Sequence, residues 1–281
     1  ARMDRIRLAV VGGVVALSFS LLAGIAPANV TTMELLSEDF EGVTLGANVD
    51  EGVAGAAVWT ADAPAGWGVT NDGAMPTNGV TEWMGWTFPL ATWWAEAAGD
   101  QERTQFTDPG KGGFGIGVVA VADPDEYDDL NSALDGGPFD STLWSPAIDV
   151  SATEADSAML TFDSSWRPED TQAAMITVSY NGGDAMEVLR FDADGGNAIV
   201  VRPLEGTSVT VPDPEQVNES ITVGLGNPAG ASTAVIGFRM YDATNDWWWA
   251  IDNVRVTGIM SSTAVEAEGK AATAWGALKL R

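Results

Sequence analysis

The chain has 281 residues and carries 13 lysines and arginines against 40 aspartates and glutamates, a formal charge of −27. Nothing in that balance neutralises a run of phosphates, so nucleic acid is excluded as a partner, and the acidity points to solubility and to divalent cations. Cysteine and histidine are both absent, which removes disulfides, thiol nucleophiles, His-dependent triads and Cys/His zinc sites and leaves carboxylate or Ca²⁺-type chemistry.

The chain opens with ARMDRIR, followed by an apolar run at 8–28 that ends in Ala26-Pro27-Ala28. A basic start, an apolar stretch and small closing residues form the pattern of a secretory signal cleaved before Asn29. The same run, at about 1.5 Å per residue, reaches about 31 Å and is long enough to remain as a transmembrane helix in the lipid bilayer. Arg2, Arg5 and Arg7 put the N-terminus on the cytoplasmic side. The rest is expected on the periplasmic or extracellular side, membrane-anchored if the leader stays and secreted if it is cleaved.

Residues 29–36 read as a linker, 37–258 as one β domain and 259–281 as a tail of different composition. Within the domain, short β-like runs recur between Gly, Pro, Asp and Asn clusters: 35–41, 66–69, 115–122, 142–150, 158–166, 174–180, 186–191, 220–225, 234–241 and 247–256. In AMITVSY, Met175, Thr177 and Ser179 alternate with Ile176, Val178 and Tyr180, and YNGGDA then reads as a tight hairpin turn. Many short strands of this kind predict an all-β fold, an antiparallel jelly-roll β-sandwich, preceded by the one N-terminal transmembrane or signal helix. The stretch 70–113 predicts long loops with a short helix near 89–100, and ADPDEYDDLNSALDGG at 122–137 reads as a solvated acidic loop, with a second Ca²⁺ site as the alternative.

NDWWWAIDNVRV, at 245–256, places an aspartate among tryptophans and aliphatics. Strict alternation puts Trp248, Ala250, Asp252, Val254 and Val256 on one face, read as inward, and Trp247, Trp249, Ile251, Asn253 and Arg255 on the other. A buried Asp252 needs a cation or several hydrogen-bond donors. The first and last strands of a sandwich commonly pair, which brings Asp39 or Glu41 of SEDFEG toward Asp252, and converging carboxylates suit Ca²⁺. Asp39, Glu41 and Asp252 are therefore the candidate metal ligands, with hydrogen bonding to loop amides as the alternative. Asp163, Glu169, Asp170 and Asp246 offer further carboxylates, but no spacing selects a catalytic pair, and an enzyme is not expected.

EDFEG near the start, LWSPAIDV in the middle and WWWAIDNVRV at the end resemble jelly-roll modules of the MAM and cleaved-adhesin (choice-of-anchor J) type, over about residues 37–257; the MAM cysteines are missing. The resemblance implies a non-enzymatic role in adhesion, ligand binding or assembly, and a structural Ca²⁺ held by Glu41 and Asp252. Two functions follow as expectations. The first is a membrane-anchored subunit of an integral membrane protein complex (photosynthetic, respiratory, secretion or surface assembly), with Trp83, Trp86, Trp93, Trp94 and Trp247 to Trp249 as interface material. The alternative is a secreted carbohydrate-binding or adhesin module in which exposed tryptophans stack on sugar rings.

Overall fold

A computed structural model of the chain describes residues 31–111, 113–170, 172–194, 198–201, 209–210 and 217–260. The leader at 1–28 and the tail beyond residue 260 lie outside these residues. Among those described, no helix is long and apolar enough to cross a membrane.

The strands are β1 (Thr32–Glu38), β2 (Gly68–Asn71), β3 (Ala120–Ala122), β4 (Phe139–Trp144), β5 (Ile148–Asp149), β6 (Met159–Trp166), β7 (Ala173–Tyr180), β8 (Met186–Asp194), β9 (Ala198–Val201), β10 (Val209–Thr210), β11 (Asn218–Gly224), β12 (Thr233–Ala243) and β13 (Trp249–Ile259). They form two antiparallel sheets, a β-sandwich. The first runs β1-β13-β6-β11-β10, with β3 also on β13; the second runs β2-β4-β12-β7-β8-β9, with β5 also on β12. Strand β1 begins at Thr32, so it absorbs most of the segment read as a linker, and β13 continues to Ile259.

Alternation places β7 as expected: Ile176, Val178 and Tyr180 are buried, while Met175 and Ser179 are partly open, and the Asn181-Gly182 turn leads into β8. The run 142–150 splits at Ser145-Pro146, because proline cannot donate to the ladder. Of 115–122 only the last three residues become strand. Phe162 and Trp249 of the first sheet meet Phe238 of the second at ring-centroid distances of 5.4 and 6.0 Å, and Trp67 stacks on Phe238 from the loop before β2. Aromatic pairs of this geometry lock the two layers.

First and last strands do pair: Leu36 lies opposite Val256 and Glu38 opposite Val254. The facing of β13 differs from strict alternation. Trp249 and Ile251 point into the core, and a β-bulge between Asp252 and Arg255, with Asn253 at φ 52°, adds one residue. Val254 and Val256 thereby return to the core, while Trp248, Ala250 and Asp252 lie on the outer side of the sheet. They are buried all the same, because the insertion between β2 and β4 covers them. It contains α1 (Ala91–Ala97), α2 (Thr104–Thr107) and α3 (Pro124–Asp128).

The tryptophans considered as interface material are core residues. Trp83, Trp86, Trp93, Trp94, Trp248 and Trp249 are all buried, and Trp247 is half-buried under the Arg167 guanidinium, 4.0 Å from its ring centre. Of the twelve tryptophans, Trp275 lies outside the described residues, and Trp144 and Trp247 are the ones left partly open.

Candidate functional site

Asp252 is 2% exposed. Its Oδ1 accepts the Asn253 N–H at 2.7 Å and its Oδ2 accepts the Ile116 N–H at 3.3 Å. Burial pushes its carboxyl up to about 7 despite those two donors, and the charges of Asp163 and Glu41 add to the rise. Glu41 reaches the same loop and accepts the Val118 N–H at 2.9 Å. Gly117 packs so closely that a Cβ on it would fall 1.9 Å from Glu41 Oε1. Phe40, between the two acidic residues, adopts φ 58° and is fully buried. Asp39 is turned away by this kink: it accepts the Glu41 N–H and lines an outer cleft of about 480 Å³ together with Asp163, Asn253 and Arg255. Glu41 and Asp252 thus share one loop with no cationic side chain bonded to either, a donor set that fits a hard cation; Asp39 does not join them.

Among the described residues, the one group of three carboxylates with oxygens mutually within 4.8 Å is Asp123, Asp125 and Glu126. This is the segment read as a solvated loop. Instead Asp123 caps α3, with Pro124 at its first position, and the buried Arg103 fills the space among the acids. Arg103 meets Asp123 at 2.9 Å, Glu126 at 3.1 Å and Asp125 at 3.3 Å, and lies over the Trp248 ring at 4.5 Å. Trp94 Nε1 donates to Asp123 at 2.8 Å. A guanidinium therefore stands where a second metal was considered. Burial and the Asp123 charge push Glu126 up to about 9 and Asp125 up to about 6, with Arg103 opposing both shifts. The Asp-Pro-Asp-Glu run is a helix-start signal and was the sequence clue to this arrangement.

The third region is a groove of about 470 Å³ on the outer face of the second sheet. Register places Gly68, Trp144, Gly237 and Thr177 in one row across β2, β4, β12 and β7, and Thr70, Thr142, Arg239 and Met175 in the next. The Trp144 indole lies over Gly237, where a Cβ would come within 2.6 Å of the ring and 2.8 Å of Thr177 Oγ1. Any other residue at 237 would lift the ring off the sheet. Trp144 Nε1 donates to Thr70 Oγ1 at 2.8 Å, which fixes the ring's rotation. Thr177 is 8% exposed and its hydroxyl has no partner, which is costly for a buried polar group unless a ligand or water completes it. Arg239 donates from Nε to Asp140 Oδ1 at 2.8 Å and from Nη2 to Asp140 Oδ2, and rests over the Tyr241 ring at 4.5 Å. The sequence signal for this site was present: Thr142 and Trp144 alternate with the apolar Leu143, so a tryptophan stands on the polar face of its strand.

Fold and groove together define a two-sheet antiparallel β-sandwich with an aromatic, hydroxyl-lined outer face. No protein-family model and no curated protein matches the chain. Among solved structures it is similar to a cleaved adhesin domain of Lys-gingipain from Porphyromonas gingivalis, with 17% identity, a TM-score of 0.42, and coverage of 80% of this chain and 98% of that one. It is also similar to the carbohydrate-binding module TmCBM61 in complex with β-1,4-galactotriose, with 12% identity, TM-score 0.35 and coverage of 68% and 86%. A third is the mannan-recognising module TmCBM27, with 11% identity, TM-score 0.34 and coverage of 81% and 98%.

Proposed function

We propose that this chain is a non-enzymatic carbohydrate-binding, adhesin-like module of jelly-roll type, acting on the outer side of the membrane and taking a glycan in the groove over β4, β12 and β7. The observation that carries the reading is the Trp144 ring, held flat on Gly237 beside the unpartnered Thr177 hydroxyl. A pyranose offers one apolar face to stack on an indole and a rim of hydroxyls to meet Thr177, Thr142 and Thr70. Asp140 has both oxygens bonded to Arg239, which suits a fixed binding surface better than acid–base work. A role as a subunit of a membrane assembly has less support, since six of the tryptophans it drew on are buried.

Ca²⁺ is proposed at Glu41 and Asp252, where it would supply the positive counterpart that the buried carboxylate lacks and tie the loop at 115–118 to β13.

Electrophoresis of the native protein through gels containing xylan, mannan, galactan or β-glucan tests the glycan reading. Retardation in at least one gel, lost in Trp144→Ala at unchanged thermal stability, is expected. Unretarded migration in all of them, or a Trp144→Ala variant that behaves like wild type, would overturn it.

A further inference from the structure

Resting on the glycan-binding reading, we infer that the groove selects uncharged pyranose chains and rejects uronate-containing or sulfated ones, because every guanidinium on this face is already matched by carboxylates of the chain itself. Arg239 is clamped by Asp140. On the neighbouring strand β8, Arg190 lies 3.3 Å from Glu187 and 3.5 Å from Asp192, and register carries it beside Met175 of the groove. Asp72 adds a further carboxylate to the lining. Acidic side chains therefore outnumber cations over the whole face, and the −27 charge of the chain deepens the negative potential that an anionic polymer would meet.

An acidic sugar could recruit Arg239 only by displacing Asp140, which would leave that carboxylate unpaired at the edge of the groove. The exchange gives up a charge-assisted, two-point pair to form another and gains nothing net. A neutral chain meets no such conflict. The groups left to it are hydroxyls: Thr177 Oγ1 without a partner, and Thr70 Oγ1, which accepts from Trp144 Nε1 and keeps its own O–H to give. Asp140 and Arg239 then serve as a fixed dipole along the groove wall. The selection is by repulsion as much as by attraction, which is how specificity between otherwise similar ligands is commonly set.

Calorimetric titration at low salt separates this inference from the reading it rests on. The probes are neutral xylo-, manno-, galacto- and gluco-oligosaccharides on one side and oligogalacturonate and chondroitin sulfate oligosaccharides on the other. Binding to at least one neutral probe and to neither acidic one is expected, with affinity for the neutral probe insensitive to salt. Thr177→Val should weaken it about 3- to 10-fold, the worth of one neutral hydrogen bond. Asp140→Asn, which releases Arg239, should confer measurable, salt-sensitive binding of oligogalacturonate. Wild-type binding of either acidic probe would overturn the inference and leave the glycan-binding reading standing. Failure of every probe, neutral and acidic, would overturn both.

Discussion

Arg103→Met tests how the covering insertion is held to the first sheet. Arg103 is 0% exposed and is the cation among Asp123, Asp125 and Glu126. A methionine keeps most of the apolar volume against Trp248 but leaves Asp123 with only the Trp94 Nε1 and Glu126 N–H donors. One such pair at about 4 Å between charge centres, in an effective dielectric near 20, is worth about 4 kcal/mol. Breaking a buried pair from one side typically costs about 3–5 kcal/mol. In a domain of this size that is roughly 6–20 °C of melting temperature. The loss also depends on pH. Arg103 holds down Asp125 and Glu126, whose carboxyls already stand at about 6 and about 9, so its removal raises both further. Their protonated forms stabilise the fold at low pH, and that contribution is lost as pH rises through the folded-state values. Urea unfolding of both proteins at pH 4.5 and pH 8 should show a deficit of several kcal/mol at pH 8 and a smaller one at pH 4.5. A deficit below about 1 kcal/mol, or one equal at both pH values, would refute the reasoning.

Glu126→Gln should act in the opposite direction: it mimics the protonated acid, so the variant should gain on wild type as pH rises from 5 toward 9, read by thermal melts across that range. Added Ca²⁺ should raise the melting temperature of wild type at pH 8, and Asp252→Asn and Glu41→Gln should each abolish the gain; an equal gain in both variants would remove the cation from that loop. Gly237→Ala should fold normally and weaken neutral-glycan binding about tenfold, because its Cβ meets both the Trp144 ring and Thr177 Oγ1; unchanged affinity would show that the flat indole is not the platform.

Residue pattern made much of the sandwich legible. The alternation in β7, the turn at Asn181-Gly182 and the pairing of β1 with β13 all follow from period-2 patterning and closure of the sheet. The facing of Asp252 did not follow, because a single bulged residue at Asn253 reverses the parity of β13. The insertion was harder still. Its helices are short, and their burial depends on Arg103 meeting acids about twenty positions later, a long-range match that no local period encodes. At the groove, Trp144 could be placed on a polar strand face from sequence, but its flatness requires Gly237 and Gly68 to lie opposite it on two other strands. Register supplies that information, and register is a property of the folded sheet. For the expected metal set, Glu41 and Asp252 reach one loop, while the left-handed turn at Phe40 sends Asp39 to a different cleft.

The most direct test of the glycan-binding groove is the indole N–H region of a proton–nitrogen correlation spectrum, with the Trp144 signal assigned as the peak missing from Trp144→Phe. Titration with a neutral oligosaccharide retained in the gel assay should shift the Trp144 peak progressively to saturation and leave the peaks of the buried Trp94 and Trp248 in place. A still Trp144 signal beside moving ones elsewhere would place the ligand on another surface and contradict the account.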